Sequence, residues 1–373
     1  ISVLLIERGF GLGGLATLGN VTVWLPLCDG HGRQVTSGLA EELLRLSVAD
    51  LAVDRPAAGM HGVSACWRPD GDAAERRRHR YQVRFNPSAY LLGLEPWLLA
   101  AGVELWYDTR LCAVARDGER VTHLIVENKD GRRALAAEVV IDATGDADLC
   151  HLAGEPTESL DSNVLCGWYY QLDGTGLRLH AMSNDYSPLA QRDGAVGPFF
   201  RGDVAADVTA QVLGSRELIR RRIAKAKADD PAGDPQLLLP PTIPCFRMTR
   251  RLVGRHALAD SDRHTWLDDT VGLISDWRRP GPVWPIAYRH LLGTTASNLL
   301  VAGRCTSADT TVWDVTRALP GVCVSGEAAG AAAAVAVREH GADARAVPAD
   351  ALRATLAAQG VLLDPELLKP HQP

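Results

Sequence analysis

The eight cysteines of this 373-residue chain, at positions 28, 66, 112, 150, 166, 245, 305 and 323, include no CxxC pair, and even the nearest two, Cys150 and Cys166, are sixteen residues apart. Without paired thiols or a Cys/His cluster at ligand spacing, neither a zinc module nor a dense disulfide framework has support, and no metal is expected. Scattered buried thiols in a reducing compartment are the reading instead, which makes a cytoplasmic location the expectation. The run that opens the chain leaves the question of a signal peptide open. A basic excess is also lacking. Lys and Arg number 39 against 45 Asp and Glu, a net charge of −6, so the electrostatic footprint of a general nucleic-acid binder is missing and no such partner is expected. No apolar run reaches the roughly 20 residues of a bilayer span. The longest, Val322 to Val337, is interrupted by Ser325, Gly326, Glu327 and Gly330 and reads as a buried helix, so no membrane span is expected. HExxH, GxSxG, a Walker loop and Ser/His/Asp spacing are absent too, which turns the reading away from metalloproteases, esterases and ATPases.

What is present has the proportions of a soluble globular protein: 46% hydrophobic and 23% charged residues, in a length suited to two or three domains. Ile1 to Ile6 is a β-rich apolar run that stops at Glu7-Arg8 and the glycines of Gly9 to Gly14, the pattern of a buried parallel strand entering a turn. Helices are expected over Thr36–Asp50 and from the Asn86-Pro87 cap onward. Strands are expected at 103–107, 111–116, 121–127 and 139–142, with Asp117-Gly118 and Asp130-Gly131 as turns. From about 156 to 296 the pattern loosens, with one clear helix at Asp207–Ala228. A strand returns at 298–303, and a small-residue helix is expected from Gly321 to His340. The charged run Glu75 to Arg80 reads as a solvated loop tip.

Several residues invite chemistry. Glu7 closes a strand where an acidic side chain accepts hydrogen bonds from a ribose hydroxyl pair. Gly11, Gly13 and Gly14 permit close backbone approach to a phosphate or a ring edge. Two strands far apart in sequence run into glycine: Val139–Asp142 into Thr144, Gly145 and Asp146, and Leu299–Ala302 into Gly303 and Arg304. That is the place where ligands of open α/β sheets bind. The alanine- and glycine-rich helix carrying Gly326 offers a close packing face and a polar amino end. His61, Arg250, Tyr288, Arg289 and His290 are the candidates for proton transfer or substrate binding, and Arg250 or Arg251 for clamping a carboxylate.

Six segments together resemble the bacterial FAD-dependent oxidoreductase family of the glutathione-reductase-like flavoprotein fold: Glu7-Arg8 with residues 13 to 19, then 140 to 148, 249 to 254, 287 to 292, 298 to 308 and 326 to 334. They occur in the family's order. The resemblance implies an α/β fold: a three-layer, FAD/NAD(P)-binding Rossmann-like domain formed by 1–155 and 297–345, an inserted α+β substrate lobe at 156–296, and a C-terminal helix and tail at 346–373. It implies FAD as cofactor. Glu7 is then expected at the adenosine ribose, and Arg8, Gly13 and Gly14 along the diphosphate and flavin. Thr144, Gly145 and Asp146 are expected at the second glycine turn, Gly303 and Arg304 by the ribityl chain, Cys112 to Val114 at the adenine, and the Gly326 helix with its amino end towards the flavin. The activity implied is hydride transfer between flavin and a small organic substrate, with the electron acceptor or donor unspecified and a homo-oligomer left open. The family's first strand and GxGxxG loop are expected ahead of the strand that ends at Glu7 and do not precede it here. A truncated or flavin-free relative acting as a binding module is therefore one alternative; a non-redox flavoprotein, a hydratase or isomerase, is the other.

Overall fold

The computed structural model describes residues 1–50, 66, 71–76, 83–183 and 197–371. The chain opens on β1 (Val3–Ile6), then β2 (Val23–Trp24), α1 (Leu39–Ser47), α2 (Ala73–Arg76), β3 (Val83–Arg84) and α3 (Pro87–Ala100). The start of α3 is written into the sequence: the Asn86 side chain accepts hydrogen bonds from the Ser88 and Ala89 N–H groups, and Pro87 occupies the first turn, where its missing N–H costs nothing. The helix stops before Gly102, which takes φ +77 and lets the chain reverse into β4 (Val103–Trp106). β1 and β4 pair in parallel, Val3 with Val103 through Ile6 with Trp106, while β2 and β3 form an antiparallel pair.

Next comes an antiparallel meander of β5 (Arg110–Asp117), β6 (Arg120–Asn128) and β7 (Gly131–Ala136). β7 was not expected. Its Gly-Arg-Arg-Ala-Leu-Ala sequence is nearly all exposed, so this edge strand is held by its hydrogen bonds to β6 rather than by an apolar face. β8 (Val140–Asp142) and α4 (Asp148–Leu152) follow, then β9 (Thr157–Ser159), β10 (Tyr169–Asp173), β11 (Gly176–His180), α5 (Ala205–Asp229), β12 (Gln236–Leu239), β13 (Arg250–Leu252), β14 (Thr270–Ser275) and β15 (Val283–Ala287). The chain ends on β16 (Leu299–Val301), α6 (Thr310–Thr316), α7 (Leu319–Glu339) and α8 (Ala349–Ala358). β16 pairs in parallel with β8, a connection that crosses the whole stretch from 143 to 298.

The largest core cluster joins β14 and β15 to β16 and α6 to α8, through residues such as Ile274, Trp284, Leu300, Trp313, Ala329 and Leu356. Packing therefore runs without a break across the boundary expected at 296: β14 and β15, though within the expected lobe, share their interior with α7 and α8. α7 is apolar and long enough by composition to cross a bilayer, but Val324, Ala328, Ala329, Ala332 and Ala336 are all buried in this core. Burial contributes roughly 1.5–3 kcal/mol for Val324 and about 0.8 kcal/mol for each alanine methyl, which together hold the helix against the sheet. A second cluster packs α1 and α3 around Trp24, Leu44, Phe85 and Tyr90. A third seals the meander to β8 and β16 through Val121, Val140, Leu252 and Leu299. Asn298 reinforces that seam. Fully buried, it donates to the Val121 and Glu138 carbonyls at 2.8 Å each and accepts from the Val121 N–H at 2.9 Å.

Candidate cofactor site

The parallel register of β8 and β16 sets Val140 beside Leu299 and Asp142 beside Val301, so both strands release the chain at the same edge. Both exits turn on a glycine in the left-handed region, Gly145 at φ +81 and Gly303 at φ +84. A β-carbon on Gly145 would stand 2.8 Å from the guanidinium carbon of Arg304, so the two turns meet only because this residue has none. Where they meet, Arg304 Nη2 lies 2.7 Å from Asp146 Oδ1.

Each turn is braced from behind. Asp142 is fully buried, and its carboxylate accepts from the Thr144 N–H at 3.0 Å, the Thr144 hydroxyl at 2.7 Å and the Cys150 N–H at 2.8 Å. The Thr144 hydroxyl also accepts from the Asp148 N–H, so this side chain is spent inside the turn. On the other side the Gly303 N–H donates to the Ser325 hydroxyl of α7 at 2.9 Å, and the Trp313 indole donates to the Arg304 carbonyl at 2.5 Å. Neither Asp142 nor Ser325 was singled out from the sequence. A strand-ending Asp followed two residues later by Thr was the available signal for the first.

Arg250, a catalytic candidate from sequence, has its guanidinium engaged at the Asp146 turn. It donates from Nε to the Asp146 carbonyl at 2.9 Å and from Nη2 to Asp148 at 2.5 Å, with Asp203 3.9 Å from Nη1. Burial first, and then Asp146, push the Asp148 carboxyl above its usual range, while Arg250 and Arg8 draw it back. Arg8 thus lies within electrostatic reach of this turn, bringing the end of β1 to the same region. Beside it the Glu7 carboxylate accepts the Gly9 N–H at 2.7 Å. Gly13 and Gly14 take φ +92 and +52, and a β-carbon on Gly14 would find no atom within 4 Å. Gly9, Gly11 and Gly14 stand at GxGxxG spacing, but this loop enters a three-residue 3-10 turn, Gly14–Ala16, and not an α-helix.

Arg251 turns away to Glu158, 2.7 Å distant, and its guanidinium lies over the Trp313 ring. Val114 sits half-buried in the middle of β5, opposite Leu124. Gly326 requires a correction. α7 starts at Leu319, so Gly326 closes its second turn and is not near its amino end; the residue of that first turn packed nearest to Gly303 is Val322. Pro320, in the first turn, is the sequence signal for this earlier start.

The remaining catalytic candidates form a different group. His61 lies outside the described residues. Tyr288 is buried and donates its hydroxyl to the Ala344 carbonyl at 2.6 Å. Arg289 is engaged by Asp268 and Asp269. His290, 1% exposed, accepts the Ala287 N–H on Nδ1 at 3.0 Å and stacks on His256, whose Nε2 stands 2.9 Å from Asp262. Burial foremost, then His256 and Arg289, push the His290 pKa well down. The ring is therefore neutral, and with Nδ1 accepting, its proton is on Nε2, which has no partner. His256, Asp262 and His290 converge closely enough to suggest a metal site. A metal-bound histidine donates through its other nitrogen, however, and here that nitrogen is an acceptor, so the trio does not suit a metal.

Among solved structures, the chain is similar to p-nitrophenol 4-monooxygenase from Pseudomonas putida DLL-E4 at 11% identity and TM-score 0.43, covering 96% of this chain and 82% of that one. A geranylgeranyl bacteriochlorophyll reductase-like protein from Thermoplasma acidophilum gives 10% identity and 0.44, covering 98% and 83%. Aklavinone-11 hydroxylase, solved with FAD and aklavinone, gives 13% and 0.41, covering 90% of this chain and 58% of that one. No curated protein matches the sequence. The family described as FAD dependent oxidoreductase matches residues 1–163 and 180–356. With its α/β, Rossmann-like fold and FAD as cofactor, the chain belongs to the FAD-dependent oxidoreductase family.

Proposed function

We propose that this enzyme oxidises or reduces a small organic molecule, bound FAD supplying the acceptor or donor of a hydride. The observation that carries the reading is the meeting of the Gly145–Asp146 and Gly303–Arg304 turns at the shared end of β8 and β16. The residues fit the cofactor. Arg304 keeps a buried Nε–H without a partner after pairing with Asp146, a donor suited to an acceptor atom of a ligand. The backbone at Gly14 is open to close approach.

In this reading Glu7 receives ribose hydroxyls, and Arg8, Gly13 and Gly14 face the diphosphate. Thr144, Gly145, Asp146, Gly303 and Arg304 line the dinucleotide between the two strand ends. Asp142, Ser325 and Arg250 hold those turns in shape, so that little has to be reorganised when the ligand binds. His290, neutral with a protonated and unpartnered Nε2, is equipped to donate a hydrogen bond to a ligand atom; Tyr288 braces the same segment against Ala344.

The test is a visible spectrum of the purified protein, followed by anaerobic addition of small alcohols, amines, enones and reduced nicotinamides. A flavin spectrum that one of these bleaches stoichiometrically is the expected result. Protein that neither carries nor takes up FAD overturns the cofactor assignments. Turnover of an added compound with no flavin reduction at any stage overturns the redox reading.

A further inference from the structure

Seventy-nine residues apart in sequence, Cys166 and Cys245 are brought together with their sulfur atoms 3.3 Å apart, both thiols buried. They are not bonded to one another. Cys166 is held by its surroundings. The Cys166 backbone is fixed by α5, its N–H donating to the Ser215 hydroxyl at 3.1 Å and its carbonyl accepting from Gln211 at 3.4 Å. Arg247 reaches the same sulfur, Nη2 lying 3.4 Å from Cys166 Sγ, while its Nη1 donates to Ser183, which is bridged to Cys166 across an antiparallel contact. A buried thiol pair with a guanidinium on one member is an asymmetric arrangement: the positive charge of Arg247 favours a thiolate on Cys166, with the Cys245 sulfur in contact beside it. The two acidities part accordingly, Cys166 drawn down by Cys245 and Arg247, Cys245 pushed up by its neighbour and by burial.

From this geometry we infer that Cys166 and Cys245 are a built oxidation site, converted to an intramolecular disulfide by a small peroxide, with Cys166 attacking and Cys245 resolving. The Cys166 thiolate displaces one oxygen of hydrogen peroxide; the O–O bond breaks, the departing hydroxide takes up the thiol's proton and leaves as water, and a sulfenic acid remains on Cys166. Cys245 then attacks that sulfur and gives up its own proton. The S–O bond breaks and a second water leaves. Two thiols and one peroxide become one disulfide and two waters, the pair losing two electrons. A disulfide of about 2.05 Å requires the sulfurs to close by little more than 1 Å, within the reach of side-chain rotation. Burial restricts the oxidant: with both residues 3% exposed, a glutathione-sized reagent is excluded and only an oxidant as small as peroxide suits the pair, whose resolving sulfur is nearer than any external thiol.

Peptide mapping after peroxide treatment of the full-length protein tests it. Denaturation in an alkylating reagent should yield a Cys166–Cys245 cross-linked pair, reversed by dithiothreitol and formed at least tenfold faster than oxidation of the buried Cys28. Cys245→Ser should leave a dimedone-reactive sulfenic acid on Cys166, and Cys166→Ser should leave Cys245 alkylated as a free thiol. Recovery of both residues as free thiols under peroxide that oxidises the less buried Cys112 overturns the inference, as does sulfinic acid on Cys166 in the wild type without any cross-link. The wild-type map decides the matter even where a variant fails to fold.

Discussion

Arg304 and Asp146 join two turns that lie far apart in the chain, with 2.7 Å between Nη2 and Oδ1 and the Asp146 carboxylate only 10% exposed. Removing one member of such a pair leaves a desolvated charge, which costs about 3–5 kcal/mol where burial is complete and somewhat less here. Arg304→Met should therefore lower unfolding free energy by about 3 kcal/mol in urea titrations. Adding Asp146→Asn should recover more than half of that loss, because the uncompensated charge is then gone. Fully additive losses count against a direct coupling.

Glu327 of α7 is buried and accepts the Leu39 N–H at the start of α1 at 3.0 Å. Burial, with a smaller contribution from Glu42, raises its carboxyl to about 7 against the hydrogen bond from Leu39. A carboxyl whose folded pKa exceeds its unfolded value near 4.5 holds its proton more tightly when folded. Its contribution is complete below about pH 4.5 and is lost as pH rises towards 7. Across that window the wild type should lose on the order of 3 kcal/mol from this group. Glu327→Gln should flatten that part of the stability profile measured in urea at pH 4.5, 6 and 7.5.

Two glycines respond oppositely to alanine. At Gly326, inside α7, an added β-carbon meets nothing within 4 Å, so Gly326→Ala should stabilise the cofactor-free protein by up to about 1 kcal/mol through helix propensity. At Gly145 the positive φ and the Arg304 guanidinium both resist a side chain, and Gly145→Ala should destabilise by more than 1 kcal/mol. Thermal melts with and without FAD separate stability from affinity. If the open face at Gly326 receives the cofactor, the FAD-induced shift shrinks there even as the cofactor-free melt rises.

Asn298 satisfies three backbone groups at once, the Val121 N–H and the carbonyls of Val121 and Glu138. Asn298→Ala leaves the buried Val121 N–H and carbonyl without this side chain, while the Glu138 carbonyl keeps its bond from Arg120, a loss of about 1–3 kcal/mol. Hydrogen exchange should show the deprotection concentrated in β6 and β8. Uniform loss across the chain argues that the seam is not what Asn298 holds.

The elements that carry the cofactor site were legible because they announce themselves locally: an apolar run, then glycine, at 139–145 and again at 298–303. The cap at Asn86-Pro87 was legible for the same reason. What could not be read is what depends on partners distant in sequence. Arg250 looks like a free cation until Asp146 and Asp148 are folded against it, and Cys166 and Cys245 look like isolated thiols. β7 was missed because an edge strand with charged residues on both faces has no alternation to detect. The domain boundary at 296 was drawn where composition changes, whereas the core closes over Trp284 and Trp313 without regard to it.

The pairing of β16 with β8 also sets an order of events during synthesis. β8 leaves the ribosome early, yet the strand that satisfies its edge is translated only after the entire stretch from 143 to 298 has been synthesised. Until then the Asp142 turn has no Arg304 to close against it, and the edge of β8 waits for its hydrogen-bond partner. Nascent chains arrested before about residue 301 should therefore be conspicuous clients of holdase chaperones, and release from those chaperones should coincide with the moment the enzyme first becomes able to retain its flavin.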